Sequence, residues 1–155
     1  MNKLAVFAIL LLTAYGATAQ EASQTIYIPG SRIEADIRKA PANSIGESEI
    51  NLIERTPNHA GILLRRTAPG KAEVHATEND VWYVIDGGCV LMTGGTLVGA
   101  TQESPGQIRG SSIKGGKEVD LGKGDFLRIP AGVPHWIKSI RGNEIVYIVV
   151  KYSGK

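Results

Sequence analysis

The chain has 155 residues, with 17 Lys and Arg against 15 Asp and Glu, and a formal charge of +2. That balance carries no basic stripe and gives no electrostatic reason to expect nucleic acid or an anionic membrane as a partner. A single cysteine, Cys89, excludes an intrachain disulfide and any cysteine-based zinc knuckle or redox pair.

Met1-Asn2-Lys3 makes a basic start, Leu4 to Leu12 is an unbroken apolar run, and Ala17-Thr18-Ala19 supplies a small-x-small site before Gln20. These are the three parts of a secretory signal peptide, and the apolar run is too short to span a bilayer. Residues 1–19 are therefore predicted to be removed, leaving residues 20–155 as one secreted or periplasmic domain. With no cysteine at the cut site, no lipid anchor is expected, and none to the membrane after cleavage.

Ser31 to Lys39 is the one predicted helix. Ser31 and Glu34 have capping-box spacing, Ile33 and Ile37 share a face, and Pro41 prevents continuation. Everything after it reads as strands, because 19 glycines and seven prolines cut the chain into short pieces. Ala60–Arg66 and Ala72–Thr77 flank the turn Ala68-Pro69-Gly70-Lys71. Val81–Ile85 and Cys89–Met92 flank Asp86-Gly87-Gly88, which predicts a hairpin. Cys89 sits in an apolar stretch and reads as a small buried hydrophobe. Thr96–Val98 is expected to be a short strand, followed by a long loop over residues 99–116. Phe126–Ile129 and Trp136–Ile140 surround a Pro-Ala-Gly-Val-Pro turn, and Glu144–Tyr152 closes the chain as a β-branched and aromatic strand. So many short antiparallel strands dispose of their edges by closing on themselves, so the fold class is all-β, a barrel or jelly roll.

Gly124-Asp125-Phe126-Leu127-Arg128-Ile129-Pro130-Ala131-Gly132-Val133-Pro134-His135 has the spacing Gly-x5-Pro-x-Gly-x2-His. Pro130 and Gly132 reverse the chain within a few residues, and His135 lands at the start of the return strand. The segment resembles the second motif of the cupin superfamily, with Ser139 where that motif ends in Asn. Residues 69–87 resemble the first motif, Gly-x5-His-x-His-x3-4-Glu-x6-Gly, in degenerate form. Counting back from Gly87 puts Asp80 at the glutamate, His75 at the second histidine and Glu73 at the first. A rival register makes His75 the first ligand and Thr77 the second. The first register is preferred, since Glu ligates metals and Thr rarely does.

The resemblance covers roughly Leu63 to Val150. It implies a double-stranded β-helix, often a homodimer, with one interior divalent metal held by Glu73, His75, Asp80 and His135. Alternation along a strand would point Glu73 and His75 the same way. Two imidazoles and two carboxylates with open positions suit Mn, Fe(II), Zn, Co or Ni, with a tilt toward Mn or Fe. The function expected is a metal-dependent enzyme of dioxygenase, isomerase or lyase type acting on a small oxygenated organic molecule. The alternative is a non-catalytic exported module that binds a sugar-like ligand. His59, the remaining histidine, reads either as a catalytic acid/base at the barrel mouth or as an exposed turn residue in Pro57-Asn58-His59. Lys71 and Arg128 alternate with the motif positions and are possible contacts for an anionic substrate.

Overall fold

The computed structural model describes residues 25–153. The predicted signal peptide, residues 1–19, lies outside the described residues. Helix α1 (Gly30–Lys39) is followed by β1 (Glu47–Ile53), β2 (His59–Arg66), β3 (Ala72–His75), β4 (Glu78–Thr93) and β5 (Thr96–Val98). The rest comprises β6 (Thr101–Ser104), β7 (Gln107–Gly110), β8 (Ser112–Lys114), β9 (Lys117–Gly122), β10 (Phe126–Ile129) and β11 (His135–Ser153). Every strand pairing is antiparallel.

The two long strands organise the rest. β4 and β11 pair along their whole lengths, from Glu78 opposite Ser153 to Thr93 opposite His135, with irregularities near the middle. On one side of that midpoint, residues 78–86 and 145–153 lie between β10 and β2, with β1 beyond β2. On the other side, residues 88–93 and 135–141 lie between β9 and β3, with β7 and β6 following β3. The sheet thus curls over itself, and a small β5–β8 ladder stands apart.

Period-two alternation sorts the side chains. Ile145, Tyr147 and Val149 face inward with Trp82, Val84, Cys89 and Leu91. Val146 and Leu63 face outward and are covered by Ile37 of α1, with Ile33 and Ile148 packed alongside. Cys89 is fully buried, and burial pushes its thiol up to about 12, so it remains a protonated apolar filler.

Several expectations need correction. The helix starts at Gly30, one residue before Ser31. Its N-cap is Pro29, no side chain among the described residues caps it, and the Pro29 carbonyl accepts from the amides of Arg32 and Ile33, so the Ser31–Glu34 capping box does not form. The turn at residues 68–71 does not join a hairpin: β2 pairs with β1 and β11, while β3 pairs with β7 and β11. Nor does Asp86-Gly87-Gly88 make a hairpin. It lies inside the continuous β4, where Gly88 and Gly87 are consecutive partners of Arg141 and Ile145, and the extra residues, Gly142, Asn143 and Glu144, bulge from the equally continuous β11. Gly87 has φ +68°, and a Cβ there would collide with the Glu144 carbonyl oxygen. A strand pressed against its partner's bulge and a two-residue turn both ask for glycine in this conformation, so local sequence does not separate them. Residues 99–116, expected as a loop, contain β6, β7 and β8.

The bulge carries a consequence for stability. Gly87→Ala combines the unfavourable φ with a backbone clash and is expected to lower unfolding free energy by about 2 kcal/mol or more. Urea denaturation measures this, and an unchanged midpoint would contradict a continuous β4.

Candidate metal centre

Glu73 and His75 are two residues apart on β3 and point the same way, as alternation requires. His135 opens β11 directly opposite Glu73. The Pro130–Pro134 turn is fastened to the strand bearing the other histidine. Gly132, at φ +79°, donates its amide to the His75 carbonyl at 2.8 Å, and the Ala131 amide reaches Asn79 Oδ1 at 3.3 Å. The two motif histidines are therefore positioned by one hydrogen-bonded unit.

Their rings come together with centroids 5.1 Å apart. His75 Nε2 lies 3.7 Å from Glu73 Oε2 and 3.6 Å from Asp80 Oδ2. His135 Nε2 lies 3.3 Å from Glu73 Oε1 and 3.8 Å from Asp80 Oδ2. One ligating atom each from Glu73, His75 and His135 falls within 4.8 Å of the others. Both histidines and Asp80 are almost wholly buried.

The hydrogen bonds set the tautomers. Gln107 donates its amide to Glu78 Oε2 at 2.9 Å, which turns its carbonyl oxygen toward His75 Nδ1 at 2.6 Å. That oxygen only accepts, so Nδ1 carries the proton and Nε2 the lone pair. Glu78 in turn accepts from Arg55 at 2.9 Å, completing a chain to the surface. His135 Nδ1 faces the Val133 carbonyl at 3.1 Å, and the same reasoning leaves its Nε2 as a lone pair in the neutral ring. Both acceptor nitrogens thus face the cluster. Among the described residues, His135 Nε2 is buried and has no hydrogen-bond partner. Its nearest polar neighbour, a Glu73 oxygen, is also an acceptor, so the pair needs a cation or a proton between them.

Burial lowers the pKa of His75, and the nearby Lys151 ammonium adds to this against the pull of Glu73 and Asp80, which favours the neutral, ligating ring. For Glu73, burial alone would raise the carboxyl, but a proton on His135 Nε2 and the Arg109 guanidinium outweigh it and hold the group well below the usual carboxylate range. Arg109 Nη2 lies 2.9 Å from Glu73 Oε2. Asp80 accepts from the Trp82 indole at 3.3 Å and from Lys151 Nζ at 2.7 and 2.9 Å. Lys151 Nζ also lies 2.8 Å from His75 Nε2.

Four of the five residues singled out from sequence are brought together: Glu73, His75, Asp80 and His135. The fifth, His59, is not. It sits opposite Tyr152, on the outward alternation of β2, exposed, with Nδ1 3.1 Å from Thr56 Oγ1. The pairing of β2 with β3 that would have carried it to the mouth opposite residue 80 does not occur. Lys71 pairs with Glu103, and Arg128 bonds Tyr152 and Asn79, so neither reaches the cluster. Sequence reasoning missed Lys151, Gln107 and Arg109. Lys151 carried a signal: it continues the inward row Ile145, Tyr147, Val149. Gln107 and Arg109 lay in a stretch read as loop.

Glu73, His75 and Asp80 line a cavity of about 150 Å³ together with Ile62, Leu64, Trp82, Tyr147 and Val149, with His135 behind them. A wider cleft next to it shares Arg55 and Gln107 with this cavity.

No protein-family model matches the chain, and no curated protein sequence does. Solved structures do. An uncharacterized conserved protein with a double-stranded β-helix domain from Klebsiella pneumoniae superposes with TM-score 0.56 at 16% identity, over 85% of this chain and 93% of that one. The cupin domain of Schizosaccharomyces pombe Cnp3 gives 0.54 at 10%, over 76% and 67%. A recombinant oxalate oxidase in complex with glycolate gives 0.54 at 15%, over 86% and 62%. At these identities the likeness concerns the fold, and the chain has the double-stranded β-helix of cupins.

Because Asp80 and Lys151 are paired inside the barrel, removing one partner strands the other. Asp80→Ala is expected to cost roughly 3–5 kcal/mol of unfolding free energy. In a double-mutant cycle with Lys151→Ala, a coupling near zero would show that the pair does not exist in solution.

Proposed function

We propose that the protein is an exported metal-dependent enzyme acting on a small oxygenated organic molecule, with one divalent transition ion held by Glu73, His75 and His135. The observation that carries this reading is the buried Nε2 of His135, without a hydrogen-bond partner among the described residues and aimed at an acceptor oxygen of Glu73. Two neutral imidazoles and a carboxylate, with further positions open, are a donor set suited to Mn, Fe(II) or Zn. Such an ion would supply Lewis-acid polarisation of an oxygen placed beside it.

The chain's own residues do the remaining work. Gln107 and Val133 hold the two rings with their lone pairs inward, as partners of metal-ligating histidines do. Trp82, Tyr147 and Val149 give the cavity an apolar wall, and Arg109 and Lys151 give it positive groups. Burial and the neighbouring charges keep the Tyr147 phenol protonated, with its oxygen accepting from Arg66 at 3.2 Å. A volume near 150 Å³ is below the ordinary range of ligand pockets and favours a substrate of few heavy atoms. The glycolate bound by the oxalate oxidase is an oxygenated acid of that size class. With His59 outside the cavity, Asp80 and Lys151 are the groups placed to hold or pass a proton.

One observation favours a second reading, a non-catalytic exported binding module. Lys151 already supplies a cation to His75 and Asp80, so the interior has charge balance without an ion.

Elemental analysis of untagged protein separates the two: about one transition metal per chain supports the enzyme, and none after purification in metal-containing buffer supports the binding module. His135→Ala and His75→Ala are expected to lose the ion while the far-ultraviolet circular dichroism of the barrel is retained. Gln107→Leu, which frees the His75 tautomer without touching the donor set, is expected to weaken metal binding by about 10–100-fold. For export, N-terminal sequencing of the protein recovered outside the cytoplasm is expected to begin at Gln20; an intact Met1 would end that part of the reading.

A further inference from the structure

We infer that Lys151 is a displaceable internal cation: its ammonium occupies the coordinating faces of His75 and Asp80, and a divalent ion loads by moving it aside. This rests on the metal-site reading above and adds a regulator to it.

The geometry is specific. Nζ lies 2.8 Å from His75 Nε2 and 2.7 and 2.9 Å from the two oxygens of Asp80. Since His75 Nδ1 is committed to Gln107, Nε2 is that ring's single lone pair. It binds the ammonium or an ion, never both. The carboxylate of Asp80, which the cupin-like spacing offers as a ligand, is likewise occupied on both oxygens. Glu73 and His135 differ: Glu73 is paired by Arg109 at Oε2 rather than by Lys151, its Oε1 faces His135, and among the described residues His135 Nε2 has no hydrogen-bond partner. Lys151 therefore caps His75 and Asp80, while Glu73 Oε1 and His135 Nε2 stay uncapped.

Lys151 is suited to exchange. Its charge rides on a flexible four-carbon stem, unlike the rigid fork of an arginine. Its Cα partner on β2 is Ala60, the smallest side chain in that inward row, and the side chain itself lines the cavity. It lies two residues from the end of β11, beside that open volume.

Charge fixes the sign of the effect. Glu47, Glu49, Glu73 and Asp80 line the cavity against Arg55, Arg66, Arg109 and Lys151, a formally neutral set before any ion arrives. An incoming dication meets no net negative field and displaces a hydrogen-bonded ammonium. Removing Lys151 leaves the set one charge negative and frees two donor groups. By linkage, whatever stabilisation Lys151 gives the metal-free barrel and loses on loading is subtracted from ion affinity.

The test uses Zn²⁺ alone, titrated against a chelator of known affinity, with thermal midpoints recorded with and without zinc for wild type and Lys151→Met. Lys151→Met is expected to bind Zn²⁺ about tenfold or more tightly than wild type. Its metal-free midpoint should fall below that of wild type, and its gain in midpoint on adding zinc should exceed the wild-type gain. A lysine that only braces the fold would lower both midpoints and leave zinc affinity unchanged or weaker, and that result overturns the inference while leaving the metal site intact. Zinc binding by neither protein would overturn both. If Lys151→Met does not fold, Asp80→Asn/Lys151→Met removes the two charges together and leaves Glu73, His75 and His135. The same comparison then applies, with tighter zinc supporting displacement and equal or weaker zinc refuting it.

Discussion

Asp80 and Lys151 face each other across β4 and β11, two residues beyond the Trp82–Val149 rung and on the same inward side. Further in, those rows are apolar: Trp82 and Val84 on one strand, Val149, Tyr147 and Ile145 on the other. At the open end they switch abruptly to an anion and a cation, both largely withdrawn from water. Neither charge is tolerable there alone, since an unpaired buried ion costs several kcal/mol. Together they also fix their neighbours. Asp80 receives the Trp82 indole, Trp82 packs against Tyr147 at 4.6 Å between centroids, and Lys151 reaches His75. The long ladder thus delivers a hydrophobic core and a polar cluster from the same alternation.

Charge in this interior is close to self-compensating. Arg109 faces Glu73, Arg66 faces Glu47, and Lys151 faces Asp80. A ligand set of carboxylates and imidazoles normally repels itself until an ion arrives, which couples folding to metal. Here each carboxylate has its own cation, so the barrel has a reason to be stable before loading. The residual imbalance is the lone pair of His135, and it is local rather than global.

Much of this was legible in the sequence. The turn that presents His135 was readable because proline and glycine at fixed offsets have one structural meaning. Glu73, His75 and Asp80 were what the resemblance to the first cupin motif implied once Gly87 anchored the count, and the structure brings those side chains together even though Gly87 lies within a continuous strand rather than a turn. The barrel-mouth reading of His59 failed, and its exposed reading stood, because the former depended on β2 pairing with β3, and strand partnership is a long-range choice that local turn signals do not encode. Lys151 was readable in principle, as the charged terminus of an apolar alternation. What hid it was that a lysine near the end of a strand usually marks solvent.

The stretch from residue 99 to 116 was opaque for a different reason. Its glycines break it into pieces too short for periodicity to register, yet β7 within it is what completes the centre. β3 and β7 run antiparallel with His75 opposite Gln107 and Glu73 opposite Arg109. Each inward residue of β3 therefore meets its own partner: an amide that sets the imidazole tautomer, and a guanidinium that neutralises the carboxylate. Because side chains alternate, a slip of one residue would present Ile108 in place of one of these and forfeit both contacts. A four-residue strand has few hydrogen bonds with which to hold its register. The side-chain pairs supply the rest, so the residues that tune the site are also among those that align the strand carrying them.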